Sequence, residues 1–270
     1  MDSAPGRRFC LFHRPVGTCR GAVLYIHPFA EEMNRSRRMA ALQARALAAL
    51  GYGVLQVDLH GCGDSSGDFG DARWDQWLAD IEAGAAWLDR RLGERPLTLW
   101  GLRLGALLAT DYARANGRAL AALVLWQPVA SGAQYLTQFL RLRVAGDMLD
   151  AAGTQTSTGA LRQTLAAGDS VEVAGYELAP ALAAALDTLD ALERMTPPCP
   201  VHWFEATAPD TAAGLPPGAA RTAAAWQSRG VVLHAHPVPC PPFWTTPEIT
   251  VCQAWLDATS AALREPADGN

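Results

Sequence analysis

Short apolar runs alternate along most of the chain with longer segments in which apolar residues recur every three or four positions. Runs of the first kind are typical of strands buried in a parallel sheet, and segments of the second kind predict helices. The predicted strands cover residues 22–26, 54–59, 97–100, 120–126, 200–205 and 231–236. The predicted helices cover residues 36–50, 74–92, 104–115, 218–229 and 248–263. Strands separated by helices of this length indicate a doubly wound, mostly parallel α/β sheet.

The alternation of strands and helices stops between residues 131 and 195. Two segments there, 135–149 and 179–195, have helical patterns and are joined by a stretch that contains Thr, Gly and Ser. We therefore predict that 131–195 is a helical cap inserted over the carboxyl edge of the sheet. The core would comprise 1–130 and 196–265, and 266–270 would be a flexible tail.

Composition excludes several classes of protein. Half of the 270 residues are hydrophobic and 18% are charged, which predicts a folded domain with a full core. The net charge of −5, with only a short arginine cluster at 35–38, argues against nucleic acid as a partner. All 22 basic residues are arginine, so chemistry that needs a lysine, such as Schiff-base formation, is excluded.

The six cysteines are scattered, without a CxxC pair or a metal-ligand spacing, so we expect neither a disulfide scaffold nor a metal site. No apolar run approaches the roughly 18 residues that span a bilayer, and the first 15 residues lack a signal-peptide core. These features predict a cytoplasmic protein with reduced thiols and no membrane span. No cofactor is predicted.

Three segments carry a resemblance to the α/β-hydrolase superfamily. Residues 25–29 (YIHPF) stand where these proteins have their oxyanion loop, and 58–67 (DLHGCGDSSG) resemble the loop after the following strand. Residues 101–105 (GLRLG) occupy the strand–turn–helix position of the nucleophile elbow. The sequences of residues 27–39, 58–69, 100–109 and 171–178 further resemble those of the exosortase A system-associated hydrolase 2 family. The superfamily resemblance implies an α/β-hydrolase fold.

The elbow has no nucleophile, because Arg103 stands where a working hydrolase has serine. A guanidinium stays protonated at any working pH and cannot attack a carbonyl. The resemblance also places Pro241 where the triad histidine is expected, with His234 and His236 slightly upstream. Glu205 or Asp210 could supply the acid, but an acid without a histidine to orient has no triad role. The ordinary serine mechanism is therefore predicted to be absent.

An arginine at a helix amino terminus suits an anion, because backbone N–H groups and the helix dipole already favour negative charge there. Arg103 could hold a carboxylate or phosphate ligand, or it could pair internally with Glu31 or Glu32. The two possibilities are compatible if a ligand displaces the glutamate. The residues predicted to line this binding site are Arg103, Glu31, Glu32, His27, Phe29 and Leu104, with Trp126 and Trp244 as candidate walls.

Cys62 is the strongest remaining candidate nucleophile, with His60 close in sequence and His236 as a second candidate base. The alternative for Cys62 is a small buried residue that packs against the elbow. Ser65 formally matches G-x-S-x-G, but a long loop follows it and the loop is expected to be structural. The two histidines of 234–236 could chelate a metal, although hydrogen bonding at a strand end is favoured.

Two classes of function remain open. The first is a binding protein for an acyl or anionic ligand, or for a protein partner, that has lost serine hydrolysis. The second is an atypical hydrolase, thioesterase or acyltransferase that acts on an activated acyl group. The family resemblance implies an exosortase and exopolysaccharide setting, in which an acyl carrier protein or a companion hydrolase would be the partner.

Overall fold

The computed structural model describes residues 1–149, 156–208 and 214–264. Its strands are β1 (Cys10–His13), β2 (Gly21–Ile26), β3 (Tyr52–Val57), β4 (Leu97–Leu102), β5 (Ala122–Trp126), β6 (Val171–Val173), β7 (Tyr176–Leu178), β8 (Val201–Thr207) and β9 (Leu233–Pro239). Its helices are α1 (Glu31–Ala49), α2 (Trp74–Leu92), α3 (Leu104–Asn116), α4 (Gly132–Leu149), α5 (Thr158–Ala167), α6 (Pro180–Thr188), α7 (Pro217–Ser228) and α8 (Gln253–Arg264).

Seven strands form the central sheet in the order β1-β3-β2-β4-β5-β8-β9. Every neighbouring pair is parallel except β1 and β3, which are antiparallel. The predicted doubly wound, mostly parallel sheet is confirmed. Sequence analysis missed β1, because this edge strand is four residues long and none of them is fully buried.

Helices cover both faces of the sheet. Alternate strand residues point to opposite faces, so Leu24 belongs to the core cluster under α2 and α3 and Val23 to the cluster under α1 and α8. Trp126 lies in the second cluster, is fully buried, and donates its indole N–H to Thr259 Oγ1 at 3.0 Å. It therefore does not wall a pocket, contrary to the prediction.

The segment predicted as a helical cap contains a hairpin as well as helices. The strands β6 and β7 pair antiparallel across Ala174 and Gly175, which both have positive φ, at 51° and 82°. Two positive φ values define a type I′ turn, which matches the twist of a two-stranded ribbon. The helix predicted over 179–195 is shorter in the structure. Helix α6 ends at Thr188, and only a 3₁₀ turn, Leu192–Arg194, follows it.

Two helix starts differ by five residues from the sequence prediction. Helix α1 begins at Glu31 rather than residue 36, so both glutamates of the oxyanion-type loop lie in its first turn. Helix α8 begins at Gln253 rather than residue 248, because the Thr246 and Thr250 hydroxyls bond to the Glu248 carbonyl and hold that stretch in turns. Within the described ranges, none of the helices combines the length and apolar character needed to cross a bilayer.

Candidate functional site

The turn between β4 and α3 keeps the backbone of a nucleophile elbow. Arg103 has φ 56° and ψ −117°, a conformation that L side chains rarely adopt, and it is the first residue before α3. A Cβ at Gly101 would collide with the backbone of Gly105 and Ala106, and one at Gly105 would collide with the carbonyl oxygens of residues 26 and 27. The two glycines therefore permit the close approach of strand, turn and helix that presents residue 103 at the sheet edge.

The Arg103 side chain is held by four neighbours. Its Nε donates to Glu32 Oε1 at 3.3 Å, and its Nη1 donates to the Gln127 carbonyl at 3.5 Å. The guanidinium carbon lies 5.5 Å from the ring centroid of Trp244 and 5.8 Å from that of Tyr135. The side chain is still 16% exposed, so the cation is oriented without being sealed off.

Of the two acids predicted as partners, Glu32 is the one that pairs with Arg103. Its second oxygen, Oε2, accepts a hydrogen bond of 2.9 Å from the Tyr135 hydroxyl. Burial raises the pKa of the Glu32 carboxyl, although Arg103 and Tyr135 oppose that shift. Burial and the nearby Glu32 raise the pKa of Tyr135 well above its usual value, so the hydroxyl keeps its proton and remains a donor.

A cavity of about 160 Å³ adjoins this ion pair. Helix α4, in the segment predicted as a cap, contributes Tyr135, Gln138, Phe139 and Leu142 to its lining. The other lining residues are Phe29, Glu31, Glu32, Arg103 and Thr245. Glu31 Oε2 is buried and has no hydrogen-bond partner among the described residues. The cavity thus joins a charged end at Arg103 to an aromatic and aliphatic wall.

The other two predicted lining residues, His27 and Leu104, lie on a separate and much smaller cavity beside Cys62. His27 Nδ1 donates to the Pro28 carbonyl at 2.7 Å, and its Nε2 accepts from the Leu59 N–H at 3.1 Å. Burial lowers the pKa of His27, so the ring is neutral. The histidine holds the oxyanion-type loop to the loop after β3.

Cys62 is buried, and burial together with Asp58 and Asp80 raises the pKa of its thiol far above the usual value. The His60 ring packs against Gly67, and its buried Nδ1 has no hydrogen-bond partner among the described residues. Neither feature produces the thiolate that a cysteine nucleophile needs. The environment suits a small packed residue.

The Ser65 hydroxyl donates to the Asp58 carbonyl at 2.5 Å and accepts from the Phe9 N–H at 2.9 Å. These bonds tie β1 to the loop, as expected for a structural serine.

Among the described residues, the candidates for the other triad positions form no acid–histidine pair. His236 lies on β9, with its Nε2 at 3.2 Å from His202 Nδ1 and its ring stacked on Phe204. Burial lowers the pKa of His202 to about 4 and also lowers that of His236. Glu205 accepts from the Gln127 amide at 2.7 Å and from the Trp203 indole at 2.8 Å. The other candidate acid, Asp210, lies outside the described residues.

Trp244 does reach the site, where its ring covers the Arg103 guanidinium from the loop that carries Pro241. Sequence analysis missed Gln127, Tyr135 and Phe139. The sequence did contain a signal for Tyr135 and Phe139, because two aromatic residues four positions apart on one helix lie on the same face.

In the described part of the chain, no cluster of three or more His, Cys, Asp or Glu side chains could hold a metal ion.

Comparison with known proteins gives partial relatives and full-length structural neighbours. A stretch of 130 residues is 29% identical to human protein ABHD12B and covers 47% of this chain and 34% of that protein. A stretch of 92 residues is 32% identical to lysophosphatidylserine lipase ABHD12 of Danio rerio and covers 34% of this chain and 23% of that protein. The chain thus matches only about a third of those relatives' length or less.

Two solved structures resemble the whole chain. Est1E from Butyrivibrio proteoclasticus, with bound ferulic acid, has a TM-score of 0.68 at 17% identity and covers 97% of this chain and 95% of its own. A thermostable carboxyl esterase from Bacillus coagulans, in complex with glycerol, has a TM-score of 0.64 at 16% identity and covers 96% and 93%. These likenesses show the fold, which is that of the α/β hydrolases.

Residues 17–188, well over half of the chain, match the family described as serine aminopeptidase, S33. That range includes the oxyanion-type loop, the elbow and most of the segment predicted as a cap. The protein therefore belongs to the serine aminopeptidase S33 family of α/β hydrolases, with arginine at its nucleophile elbow.

Proposed function

We propose that this protein binds a small ligand with a carboxylate head group and an apolar tail, and that it does not carry out serine-type hydrolysis. The observation that carries the proposal is the position of Arg103, whose guanidinium stands at the elbow and lines the cavity under the cap. A cation at that point would bind the acid or acyl part of a ligand rather than attack it.

The local electrostatics support an anionic head group. Arg103 precedes α3, and the first N–H groups of a helix have no partner within it. The positive end of the helix dipole adds to the charge of the guanidinium. The opposite wall, with Phe29, Phe139 and Leu142, suits a tail of aromatic or aliphatic carbon.

The missing serine mechanism has two further supports. Pro241 stands in the loop after β9, and Trp244 from the same loop covers Arg103. Glu205 is engaged by an amide and an indole, and no histidine bonds to it among the described residues. An acyl-enzyme mechanism lacks its nucleophile and its base here.

The sequence motifs of the chain extend the proposal to the cellular system in which the protein acts. It resembles the exosortase A system-associated hydrolase 2 family, which implies association with exopolysaccharide production and with activated acyl groups. We propose accordingly that the ligand is an acyl compound, and that an acyl carrier protein or a companion hydrolase is the protein partner. Co-purification of either with the full chain supports this setting, and its absence under mild salt contradicts it.

A direct binding measurement tests the proposal. Calorimetric titration with acetate, butyrate, octanoate and ferulic acid is expected to show binding that strengthens with tail length and is weaker for octanol than for octanoate. Replacement of Arg103 by methionine removes charge-assisted hydrogen bonds worth about 1.5–3 kcal/mol, so octanoate binding should weaken about 10- to 100-fold. Arg194→Met, at an exposed arginine outside the cavity, is the matched control. Equal affinity for octanol and octanoate contradicts the proposal.

An activity panel addresses the alternative of an atypical hydrolase, thioesterase or acyltransferase. Short- and long-chain esters and acyl thioesters, with heat-denatured protein as a control, are expected to show no turnover above background. Turnover that survives purification and disappears in Cys62→Ala would replace the binding proposal with a thiol enzyme.

A further inference from the structure

We infer that Glu32 is the resident anion of this site, that an incoming carboxylate displaces it from Arg103, and that the exchange takes up a proton on Glu32. The inference rests on the proposed function and adds how the same site is regulated. It makes ligand binding dependent on pH through a side chain of the protein.

The contact between Arg103 and Glu32 is suited to exchange. The pair is joined through Nε alone at 3.3 Å, whereas a strong arginine–carboxylate pair uses two parallel hydrogen bonds. Arg103 Nη2 donates no hydrogen bond to any residue in the described ranges, although the cation adjoins the cavity. A ligand carboxylate can therefore form the two-pronged contact that Glu32 does not form.

The rings of Trp244 and Tyr135 lie near the guanidinium and limit its movement. The cation is thus held in place while its carboxylate partner changes. Glu32 keeps one hydrogen bond after the exchange, because its Oε2 is bound by the Tyr135 hydroxyl from α4. The displaced side chain then has a donor on one oxygen and no cation on the other.

The charges around Glu32 determine what happens to its proton. The titratable groups that face it are Arg103 before α3, Tyr135 on α4 and Glu31 in its own helix. Arg103 is the principal group that stabilises the carboxylate, while Glu31 and burial oppose ionisation. Once the ligand's charge occupies Arg103, one cation would serve three buried or half-buried carboxylates, so protonation of Glu32 relieves the excess.

The direction of the pH effect follows from this balance. In the free protein the two oxygens of Glu32 accept hydrogen bonds from Arg103 and Tyr135, as those of a carboxylate do, and the exchange leaves Glu32 protonated in the complex. Affinity therefore rises as pH falls, by about tenfold per pH unit over the range in which the ligand is ionised and Glu32 changes state. A site without the exchange would show no such slope.

Calorimetry of octanoate binding to the wild-type protein tests the inference without a variant. Titrations at one pH in buffers of different ionisation enthalpy, HEPES and Tris, report the protons exchanged. We expect uptake of about one proton per ligand bound. Uptake near zero, with affinity independent of pH, overturns the inference.

Two variants assign the proton. In Glu32→Gln, which keeps the shape of the side chain, proton uptake should vanish, and octanoate should bind at least about tenfold more tightly because no carboxylate competes for Arg103. In Glu94→Gln, at an exposed glutamate outside the cavity, proton uptake should remain. Uptake that persists in Glu32→Gln assigns the proton elsewhere and overturns the inference.

The proposed ligand binding and the proposed exchange at Glu32 can be disproved independently of each other. If wild-type protein binds no carboxylate in any of these titrations, the proposed function is wrong. If it binds octanoate through Arg103 without exchange of a proton, the proposed function stands and the role of Glu32 is wrong.

Discussion

Arg103 places a guanidinium on a backbone turn that has the geometry of a nucleophile elbow. The φ of 56° and the close glycines are those of an elbow that presents a residue to the cleft. The guanidinium then meets Glu32, Tyr135 and Trp244, and the carboxylate among these neighbours pairs with the arginine itself. The turn therefore presents a cation to the cavity.

Restoration of the elbow serine alone should not restore hydrolysis. In Arg103→Ser the hydroxyl would have no histidine partner, because the loop position holds Pro241 and His236 is bonded to His202 on β9. We expect ester turnover indistinguishable from that of the heat-denatured protein, measured with a short-chain chromogenic ester. Turnover more than tenfold above that background would show that another base reaches the elbow.

Burial also predicts the reactivity of Cys62. Because desolvation and two nearby aspartates raise the pKa of its thiol, we expect folded protein at pH 7–8 to be alkylated at Cys62 far more slowly than at the half-buried Cys10 and Cys19. Mass spectrometry after timed iodoacetamide treatment, with urea-unfolded protein as a control, measures the three rates. Rapid labelling of Cys62 in the folded protein would contradict the packed environment and favour the thiol-enzyme alternative.

Helix α3 depends on the absence of a side chain at one position. Gly105 lies so close to the carbonyl oxygens at the end of β2 that a Cβ would overlap them, whereas Gly146 on α4 has open space around it. The elbow and the oxyanion-type loop are therefore packed backbone against backbone. The position of Arg103 relative to Glu32 follows from this contact.

Gly105→Ala should destabilise the protein by about 3 kcal/mol, because relief of the overlap requires backbone movement. The matched change Gly146→Ala, in an open helical position, should be neutral or stabilise by up to about 1 kcal/mol. Urea unfolding followed by far-UV circular dichroism measures both. Similar stability of the two variants would show that the elbow can shift without cost.

A buried ion pair joins the residues before β1, called here the amino-terminal arm, to α2. Arg8 Nε donates to Asp80 Oδ1 at 2.7 Å, and neither side chain is exposed. Asp80 also accepts from the His60 N–H at 2.8 Å and from the Ser3 hydroxyl at 3.1 Å. One carboxylate thus joins the arm, the loop after β3 and a helix on the face of the sheet.

Removal of the cation should weaken all three attachments together. Arg8→Met leaves Asp80 buried without its charge partner, which typically costs about 3–5 kcal/mol. Arg194→Met, which removes an exposed ion pair with Asp190, should cost under about 1 kcal/mol. Thermal unfolding of the two variants gives the comparison, and equal melting temperatures would show that the buried pair does not stabilise the fold.

The alternation of apolar runs and amphipathic segments was sufficient to predict the parallel sheet and most of its helices, because hydrophobic periodicity is a local property. Helix α2 was predicted with both of its ends. The strand β1 and the β6–β7 hairpin were missed, since short strands carry few alternations. The one sequence feature that indicates the turn of this hairpin is Gly175, since both Gly175 and Ala174 have positive φ where the chain reverses.

Residue types along the chain showed that the elbow lacks a serine and that its arginine needs an anion nearby. They left open whether Glu31 or Glu32 is that anion, because the two are adjacent in a segment that was not predicted as a helix. The choice depends on the direction of each side chain from α1 and on Tyr135, which comes from a cap helix 103 positions away. Such contacts join segments that are distant in sequence, so only packing of the cap and the loop after β9 around Arg103 determines them.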